Sequence, residues 1–515
     1  MNNQSKPQLP AYITSATPLG PDKRAPWFKN VAPTYAGIFL WFVFWQDAAK
    51  AGSLGGALSQ GVGVALLGLV LAALICHFLF YLVPGLLGMK TGLPLYIVGT
   101  STFGAQGGFI MPGFIMGVLQ FGWVGVNVFF SSLAVAGFLG MESQAWIIMI
   151  VWGILAAFVG LKGIQYVAKV STYLPLIPLA ILALILFKSI GGLGSFQASS
   201  LIETHQALAP TAPAPLSVVG VIALLLTYVV GFFATAGAAG VDIAMSTRND
   251  KDVKTGGWVG VVLAIVLTAG ISLLVVAGTL GSKELSAKAV ELAKTNVAKA
   301  VTQEVTKATE AAQKAGKPLA ADDLKALTEK ETVKQAAGAI LSSPSLIPTL
   351  LGDKLAKIVM FLLALAAFPP ACFSSFIAAN SFKTTLPQVN PFISVGIGTA
   401  VSIILAITGL AGDAIGVFVI IGASFGPICG AMLVDYLLCG GQWTGPRAGF
   451  NPAGWIAWAL GFVVGILPSL GVAVPAAPVA AFIVGAVVYF LCAKAGMMSQ
   501  VVPIRPSSNA PFIPF

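Results

Sequence analysis

Charged residues are scarce in this chain of 515 residues, at 9%, whereas 57% of its residues are hydrophobic and the mean hydropathy is +0.92. Soluble globular domains carry about a quarter of their residues as charges. The composition therefore excludes an ordinary soluble domain and predicts a polytopic membrane protein. The net charge of +10 does not indicate a nucleic-acid partner, because the basic residues follow the ends of the apolar runs.

The residues that metal and nucleotide chemistry need are also few. The chain has two histidines and five cysteines, and the cysteines form neither a CxxC pair nor a cluster with histidine. A zinc site or a disulfide framework is therefore not expected. Neither a phosphate-binding glycine loop nor an acid–base pair typical of enzymes is evident. The sequence thus predicts a protein that is not an enzyme and has no resident cofactor or metal.

Twelve apolar runs are long enough to cross a hydrocarbon core of about 30 Å. They lie near residues 33–57, 61–87, 108–137, 145–161, 168–190, 217–240, 257–281, 355–382, 392–411, 414–439, 453–470 and 473–494. Lysine and arginine concentrate on one side of these runs, which by the positive-inside rule puts both termini in the cytoplasm.

We therefore expect a multi-pass protein of the inner, cytoplasmic membrane. Its membrane parts are predicted at 31–281 and 346–495, with cytoplasmic tails at 1–30 and 496–515. The first tail has no short apolar core followed by a small-residue cleavage site, so it is expected to be a disordered segment and not a signal peptide.

One charged segment, residues 282–345, interrupts the apolar pattern. Its apolar residues recur every three or four positions, which predicts one or two amphipathic helices interrupted near Gly316, Lys317 and Pro318. The topology puts this insertion on the extracytoplasmic side. Two interpretations are open: a lid or partner-docking element, and a solvated helical hairpin without a role in transport.

An amide and an indole lie one helical turn apart in the third run, at Gln120 and Trp123. Hydrocarbon offers such groups no hydrogen bond, so both side chains must face other helices or a ligand. We interpret them as one wall of a pocket for a flat, polar, ring-shaped solute.

Glycines are dense at residues 231–240 of the sixth run. They weaken a helix and permit close backbone approach, which indicates either a discontinuous transport helix or ordinary small-residue packing. Gly52, Gly55 and Gly56 near the end of the first run favour the discontinuous helix. Transporters built from two inverted repeats of five helices often break their first and sixth helices.

Five short motifs follow one another in a characteristic order. They are KTGL and STFG at 90–93 and 101–104, QFGWVG at 120–125, FATAG at 233–237, PICG and DY at 427–430 and 435–436, and Asn451 before the eleventh run. Together they resemble the nucleobase:cation symporter family, in its bacterial cytosine and purine permease branch. The resemblance covers about residues 30–495 without the insertion.

The resemblance implies an all-α polytopic membrane protein with twelve transmembrane helices. Its fold would be the leucine-transporter-like fold of the amino acid-polyamine-organocation superfamily, with a 5+5 inverted repeat plus two C-terminal helices. Trp123 and Phe233 would stack on the two faces of a heterocycle, and Gln120 would hydrogen-bond its edge. Thr235 and Gln46 would supply further contacts to the substrate.

The eighth run departs from the family pattern. Residues 368–375 read FPPACFSS, where the family has threonines and asparagines that bind sodium and substrate. Ser374 and Ser375 are the nearest hydroxyls for an ion, and Pro369 and Pro370 can free backbone carbonyls by breaking the helix. Both Na⁺ and H⁺ are therefore open as coupling ions.

The function that the resemblance implies is a permease that imports a nucleobase or related small heterocycle, of cytosine, purine, allantoin or hydantoin type, by cation-coupled alternating access. An amino-acid or polyamine carrier of the same fold is one alternative, and a non-transporting membrane sensor is another. Two aromatic contacts favour the heterocycle, because carriers of zwitterions hold a carboxylate at broken helix ends. The expected partners are the heterocycle and the lipid bilayer, and no oligomeric state is predicted.

Overall fold

The computed structural model describes residues 9–162, 174–386 and 388–504. Residues 1–8 and 505–515 of the predicted tails, and the start of the predicted fifth run, lie outside the described residues. Within these ranges the secondary structure consists of helices, with two isolated β-bridge pairs. This confirms the predicted all-α polytopic class.

Ten helices in the described part of the chain are long and apolar enough to cross a membrane. They are Val62–Thr91, Phe109–Leu139, Glu142–Leu161, Leu176–Ser195, Val218–Ala238, Asp250–Gly281, Asp353–Lys383, Ala414–Leu438, Pro452–Leu470 and Ala477–Lys494. They correspond to the second to eighth and the tenth to twelfth predicted runs. The ninth run is the shorter apolar helix Pro391–Ile407, and the first run is divided, so the count of twelve stays a prediction.

The first span consists of two short helices. Val31–Phe39 is separated from Phe42–Gln46 at Trp41, whose backbone is extended, with φ −64° and ψ 126°. The first span is thus discontinuous, as the glycines at the end of this run favoured, but its interruption lies at Trp41, ahead of those glycines. Gly55 and Gly56, in the turn that follows this second helix, have positive φ angles of 74° and 51°, which glycine adopts without steric cost.

Hydroxyl groups from neighbouring helices replace hydrogen bonds that the broken first span lacks. Tyr228 Oη donates to the carbonyl oxygens of Val43, at 2.8 Å, and Phe44. Ser272 Oγ donates to the carbonyl oxygen of Trp45 at 2.5 Å. Backbone groups within a membrane need such internal partners, so these hydroxyls allow the span to be discontinuous.

The sixth span stays helical through most of its glycine-rich stretch. Val218–Ala238 is followed by the short helix Gly240–Ala244, so the interruption lies only at the end of the stretch. A Cβ on Gly231 would lie 2.8 Å from the carbonyl oxygen of Phe418 in the tenth span. Close helix packing is therefore the role of this glycine, as the small-residue interpretation expects.

The eighth span is interrupted at Ala367, between Asp353–Ala366 and Phe368–Thr385. Pro369 and Pro370 fall in the first turn of the second helix. Proline has no N–H group and fits the start of a helix, whereas within a helix it removes a hydrogen bond. The expected break at the two prolines is therefore present.

The charged insertion folds into a pair of helices, Lys283–Lys314 and Ala321–Leu341. The longer helix buries a stripe of small apolar residues at intervals of four, namely Ala289, Ala293, Val297 and Val301. The predicted helices and their interruption near Gly316 are thus present, and the longer helix is amphipathic, whereas the shorter one buries residues only near its end. The side of the membrane on which the pair lies stays a prediction.

Residues 9–30 pack against the helical bundle, so the predicted disorder is wrong for this part of the N-terminal tail. Ile13 is 1% exposed, and Tyr12 Oη donates to the carbonyl oxygen of Ala105. Asn30 Nδ2 donates to the carbonyl oxygen of Ile243 at 2.9 Å. An apolar anchor and hydrogen bonds to the turn at Ala105 and to the short helix Gly240–Ala244 order the segment, which polar composition alone did not indicate.

Candidate functional site

A cavity of about 510 Å³ lies between the first, third, sixth and eighth spans. Trp41, Trp123 and Phe232 are among the aromatic residues that line it. The exposed residues Phe28 and Lys29 also belong to the lining, so the cavity opens on the side where the N-terminal segment lies. Its volume is typical of sites for small organic molecules.

The third span contributes a polar wall to this cavity. Gln120, Trp123 and Asn127 follow at intervals of three and four residues, so they share one face of the helix. Trp123 Nε1 donates to Thr235 Oγ1 of the sixth span at 3.1 Å. The structure therefore brings the predicted residues Gln120, Trp123 and Thr235 to one cavity, while their binding of a solute stays a prediction.

The predicted partner of Trp123 across the solute, Phe233, points elsewhere. It is fully buried outside the cavity lining and stacks on Phe39, with ring centroids 5.7 Å apart and planes 20° apart. Phe232 lines the cavity instead, 4.8 Å from the Trp123 ring. Successive helical residues point about 100° apart, so a shift of one position along the helix moves the ring from the packed side to the cavity.

Aromatic rings surround Trp123 and close one side of the cavity. Its ring lies 5.8 Å from Trp41, 4.8 Å from Phe232 and 5.2 Å from Phe418. Phe44 lies behind Phe232 at 4.7 Å. A solute stacked between two rings needs them parallel and about 7 Å apart. The planes of Trp123 and Phe232 are 78° apart, so these rings have to separate and rotate before one ring fits between them.

The remaining predicted site residues do not converge on one point. Gln46 lies outside the cavity lining, and its buried Oε1 has no partner among the described residues. Ser374 lines the cavity, but Ser375 Oγ donates to the carbonyl oxygen of Ala371 at 2.9 Å. A Cβ on Gly160 of the fourth span would lie 2.7 Å from the Ser375 Cβ. The two serines therefore face different neighbours.

Sequence reasoning missed Trp41, Asn127 and Phe232 as lining residues. The helical period could have found Asn127, since it lies four residues after Trp123. The exact position of the break in the first span, at which Trp41 lines the cavity, had no comparable signal. Among the lining residues, all of them within the described ranges, Lys29 alone is charged. The cavity wall therefore supplies no carboxylate to a cationic solute.

Known proteins are similar in sequence to part of this chain. A 244-residue stretch, 45% of this chain, is 28% identical to the cytosine permease of Escherichia coli O157:H7 and 27% identical to that of Escherichia coli strain K12. The chain spans about half the length of these curated relatives, 50% in both cases. No family model matches the chain.

Solved structures are similar over nearly the whole chain. Mhp1, a nucleobase-cation-symport-1 family transporter in a closed conformation with bromovinylhydantoin bound, matches 94% of this chain and 97% of its own, with 14% identity and a TM-score of 0.57. Inward-facing Mhp1 matches 95% of this chain and 99% of its own, with 13% identity and a TM-score of 0.56. A Na⁺-coupled sialic acid symporter matches 96% and 95%, with 11% identity and a TM-score of 0.55.

These structural matches identify the chain as a polytopic membrane protein with the fold of Mhp1 and the sialic acid symporter. At such identities they show the fold alone. The cytosine permeases are similar to this chain in sequence as well, which confirms the resemblance to the nucleobase:cation symporter family. The relatives are named permeases and transporters, not enzymes.

Proposed function

We propose that this protein is a secondary transporter that imports a nucleobase-type heterocycle by cation-coupled alternating access. The observation that carries the proposal is the cavity wall in which Gln120, Trp123 and Asn127 alternate amide and ring groups, opposite Phe232. The named relatives support this class, because one is a cytosine permease and another was solved with a hydantoin bound.

The chemistry of the wall suits a flat neutral ring. Aromatic side chains stabilise the faces of a heterocycle through burial and offset stacking. An amide offers both a donor and an acceptor to its edge. Solutes that lack a matching edge group leave a buried partner unpaired, and this discriminates strongly between analogues.

The open and closed ends of the cavity suit alternating access. The open end lies beside Phe28 and Lys29, on the side that the positive-inside rule assigns to the cytoplasm. The rings around Trp123 close the other end. Separation of Trp123 from Phe232 would create the stacking site and the path from outside, while closure around Lys29 would seal the inner mouth.

An uptake experiment can distinguish between Na⁺ and H⁺ as the coupling ion. Ser374 is the serine of the eighth span that faces the cavity, whereas Ser375 is bonded within its own helix. If Na⁺ is the coupling ion, Ser374→Ala should raise the Na⁺ concentration required for half-maximal uptake. Ser375→Ala is the matched control and should leave that concentration unchanged.

The lining disfavours a polyamine carrier, since none of the lining residues is a carboxylate that could pair with an ammonium group. An amino-acid carrier would need a paired site for a carboxylate and an ammonium group, and Lys29 at the mouth is the one charge in the lining. A sensor is distinguished by its behaviour, because it would bind the heterocycle without moving it.

Uptake tests the proposal directly. Cells that lack their own permeases and express this protein should accumulate at least one of radiolabelled cytosine, uracil, adenine, guanine, hypoxanthine and allantoin, measured with and without Na⁺ and at two external pH values. Trp123→Ala should weaken binding by about 1–3 kcal/mol, the range for base–aromatic stacking. If the well-expressed protein neither binds nor transports any of these solutes, the proposed substrate class is rejected.

A further inference from the structure

His205 is fully buried in the loop helix Ala198–Leu208, between the fifth and sixth spans. Its Nδ1 accepts a hydrogen bond from the backbone N–H of Gly55 at 3.1 Å, and its Nε2 is buried without a partner among the described residues. An imidazole that accepts at Nδ1 carries its one hydrogen on Nε2 and is neutral. Neutral His205 therefore joins the loop helix to residues 47–61, the outer turn. The predicted topology puts both on the extracytoplasmic side.

The outer turn continues directly from the second helix of the first span, Phe42–Gln46. Ala57 N–H donates to the carbonyl oxygen of Ala49 at 3.0 Å, so the turn is closed on itself. Phe44 of the preceding helix lies 4.7 Å from Phe232, one of the rings that close the outer end of the cavity. We therefore expect a shift of the outer turn to move this helix and to loosen the packing behind the rings.

Two further hydrogen bonds join the outer turn to the segment that follows the loop helix. Leu54 N–H donates to the carbonyl oxygen of Pro213 at 3.0 Å, and Gln60 Nε2 donates to that of Leu216 at 2.6 Å. Peptide groups and carboxamides do not titrate near neutral pH, whereas an imidazole does. Of these three links, the bond to His205 is therefore the one that acid can break.

A proton on His205 conflicts with its bond to Gly55 in two ways. Nδ1 would then carry a hydrogen that points at the N–H of Gly55, so that two donors would face each other. The positive charge would also be buried, and ionised groups are expensive to bury. For the second reason, burial lowers the pKa of His205 from 6.5 to about 4. Protonation is thus favoured only where the ring has left the bond and reaches water.

The charged groups on the elements around the imidazole face solvent or pair with one another. Glu203 of the loop helix is exposed. Asp47 of the outer turn pairs with Lys50 at 3.3 Å. The insertion helix that packs on the loop helix contains Glu331 and Lys334, which pair at 3.8 Å. In the part of the chain that the structure describes, none of these groups is bonded to the imidazole, so a protonated ring has no counter-ion among them.

We propose that His205 is a pH-sensitive switch on the outer face: its protonation releases Gly55 and the outer turn, and favours the conformation in which the cavity opens to the extracytoplasmic side. The inference rests on the proposed function, because it assumes alternating access, and it adds regulation by external pH. The proton comes from the outer solution and returns to it when the bond re-forms, so the switch is separate from the coupling ion.

The size of the effect follows from linkage. A group whose pKa is lower in the closed state leaves that state fully favoured above its ordinary pKa and disfavours it progressively as the pH falls towards the lower value. The pKa of His205 is about 4 in the closed state and 6.5 in water. A change from about pH 7.5 to about pH 5 should therefore raise the ratio of released to closed protein about 25-fold.

Distances between two spin labels test the switch without any solute. Gly52→Cys and Ser200→Cys put one label on the outer turn and one on the loop helix, both at exposed residues. A Cβ on Gly52 would have no atom within 4 Å. All five cysteines lie within the described ranges, and Cys439 alone is not buried, so Cys439→Ser removes the reactive background. In purified protein, the population with the longer distance should increase between pH 6.5 and about pH 4, the range set by the two pKa values of His205.

Two variants distinguish His205 from other titrating groups. His205→Asn keeps an oxygen that can accept from Gly55 and takes up no proton, so the label distances should not depend on pH. His77→Gln is the matched control. It changes the other histidine of the chain, which lies in the second span, and it should keep the full response.

The outcomes separate the switch from the proposed function. A folded His205→Asn protein that responds to pH as the wild type does would overturn the inference, and so would a wild type that does not respond. If His205→Asn does not fold, loss of the response in His77→Gln overturns the inference, as does a wild-type transition outside the stated pH range. Failure of the wild type to bind or transport any solute of the uptake panel rejects the proposed function. Transport by a protein whose label distances do not depend on pH rejects only the switch.

Discussion

Exchange of adjacent phenylalanines tests which face of the sixth span meets the solute. Phe232 is 1% exposed and its ring lies 4.8 Å from Trp123 in the cavity wall, whereas Phe233 is fully buried and stacks on Phe39. Truncation of either ring removes a buried side chain, and each variant should lose about 3–5 kcal/mol of stability. The two variants should therefore be about equally destabilised, and a difference in their affinity for the solute then reports the role of each ring in binding.

Affinity should separate the two variants. Phe232→Ala removes a ring that can stack on the solute and should weaken binding by about 1–3 kcal/mol, or about 5- to 150-fold in Kd. Phe233→Ala changes a ring that points about 100° away from Phe232 and lies outside the cavity lining, so it should leave the Kd within about two-fold.

The assay is binding of the best solute of the uptake panel to purified protein, with thermal unfolding of each variant measured in the same detergent. Comparable melting temperatures with unequal affinities are expected. Loss of affinity in Phe233→Ala equal to or greater than that in Phe232→Ala would refute the orientation of the sixth span, and would restore the assignment made from sequence.

Three further predictions concern stability. Thr235→Val removes the acceptor of the Trp123 indole N–H at 3.1 Å and should cost about 1–3 kcal/mol, measured by thermal unfolding. Arg447→Ala leaves the buried carboxylate of Asp435 without its ion-pair partner at 3.2 Å and should cost about 3–5 kcal/mol, measured in the same way. Burial lowers the pKa of His205, in the loop helix between the fifth and sixth spans, from 6.5 to about 4. The unfolded chain therefore binds a proton between these pH values and the folded protein does not, so stability should be full above pH 6.5 and fall by up to about 3 kcal/mol towards pH 4, in melting temperatures recorded against pH.

Matched variants control each of these measurements. Thr235→Ser keeps the hydroxyl and should restore most of the stability that Thr235→Val loses. Adding Asp435→Asn to Arg447→Ala should recover part of the loss, because the unpaired charge is gone; additive losses would contradict the ion-pair argument. His205→Gln should flatten the dependence on pH between 4 and 6.5, and an unchanged slope in that variant would assign the titration to another group.

The membrane class and most of the spans could be predicted because few backbone conformations are stable in lipid. Long apolar runs in hydrocarbon must satisfy their own N–H and C=O groups, and a helix does so locally. The paired helices at Lys283–Lys314 and Ala321–Leu341 were predictable for a related reason, since a period of three to four residues is a local pattern. The interruption of the first span at Trp41 was not predictable in its position, because distant hydroxyls such as that of Tyr228 stabilise it.

One wall of the candidate site was determined by sequence alone. Gln120 and Trp123 are polar groups in an apolar helix, and their spacing by itself puts them on one face. Only the tertiary structure decided which residues meet that face. The choice of Phe232 over Phe233 depends on the rotation of the sixth helix, and the bond from Trp123 to Thr235 joins residues 112 positions apart. Local pattern sets which side chains share a helix face, whereas packing between distant helices sets what that face contacts.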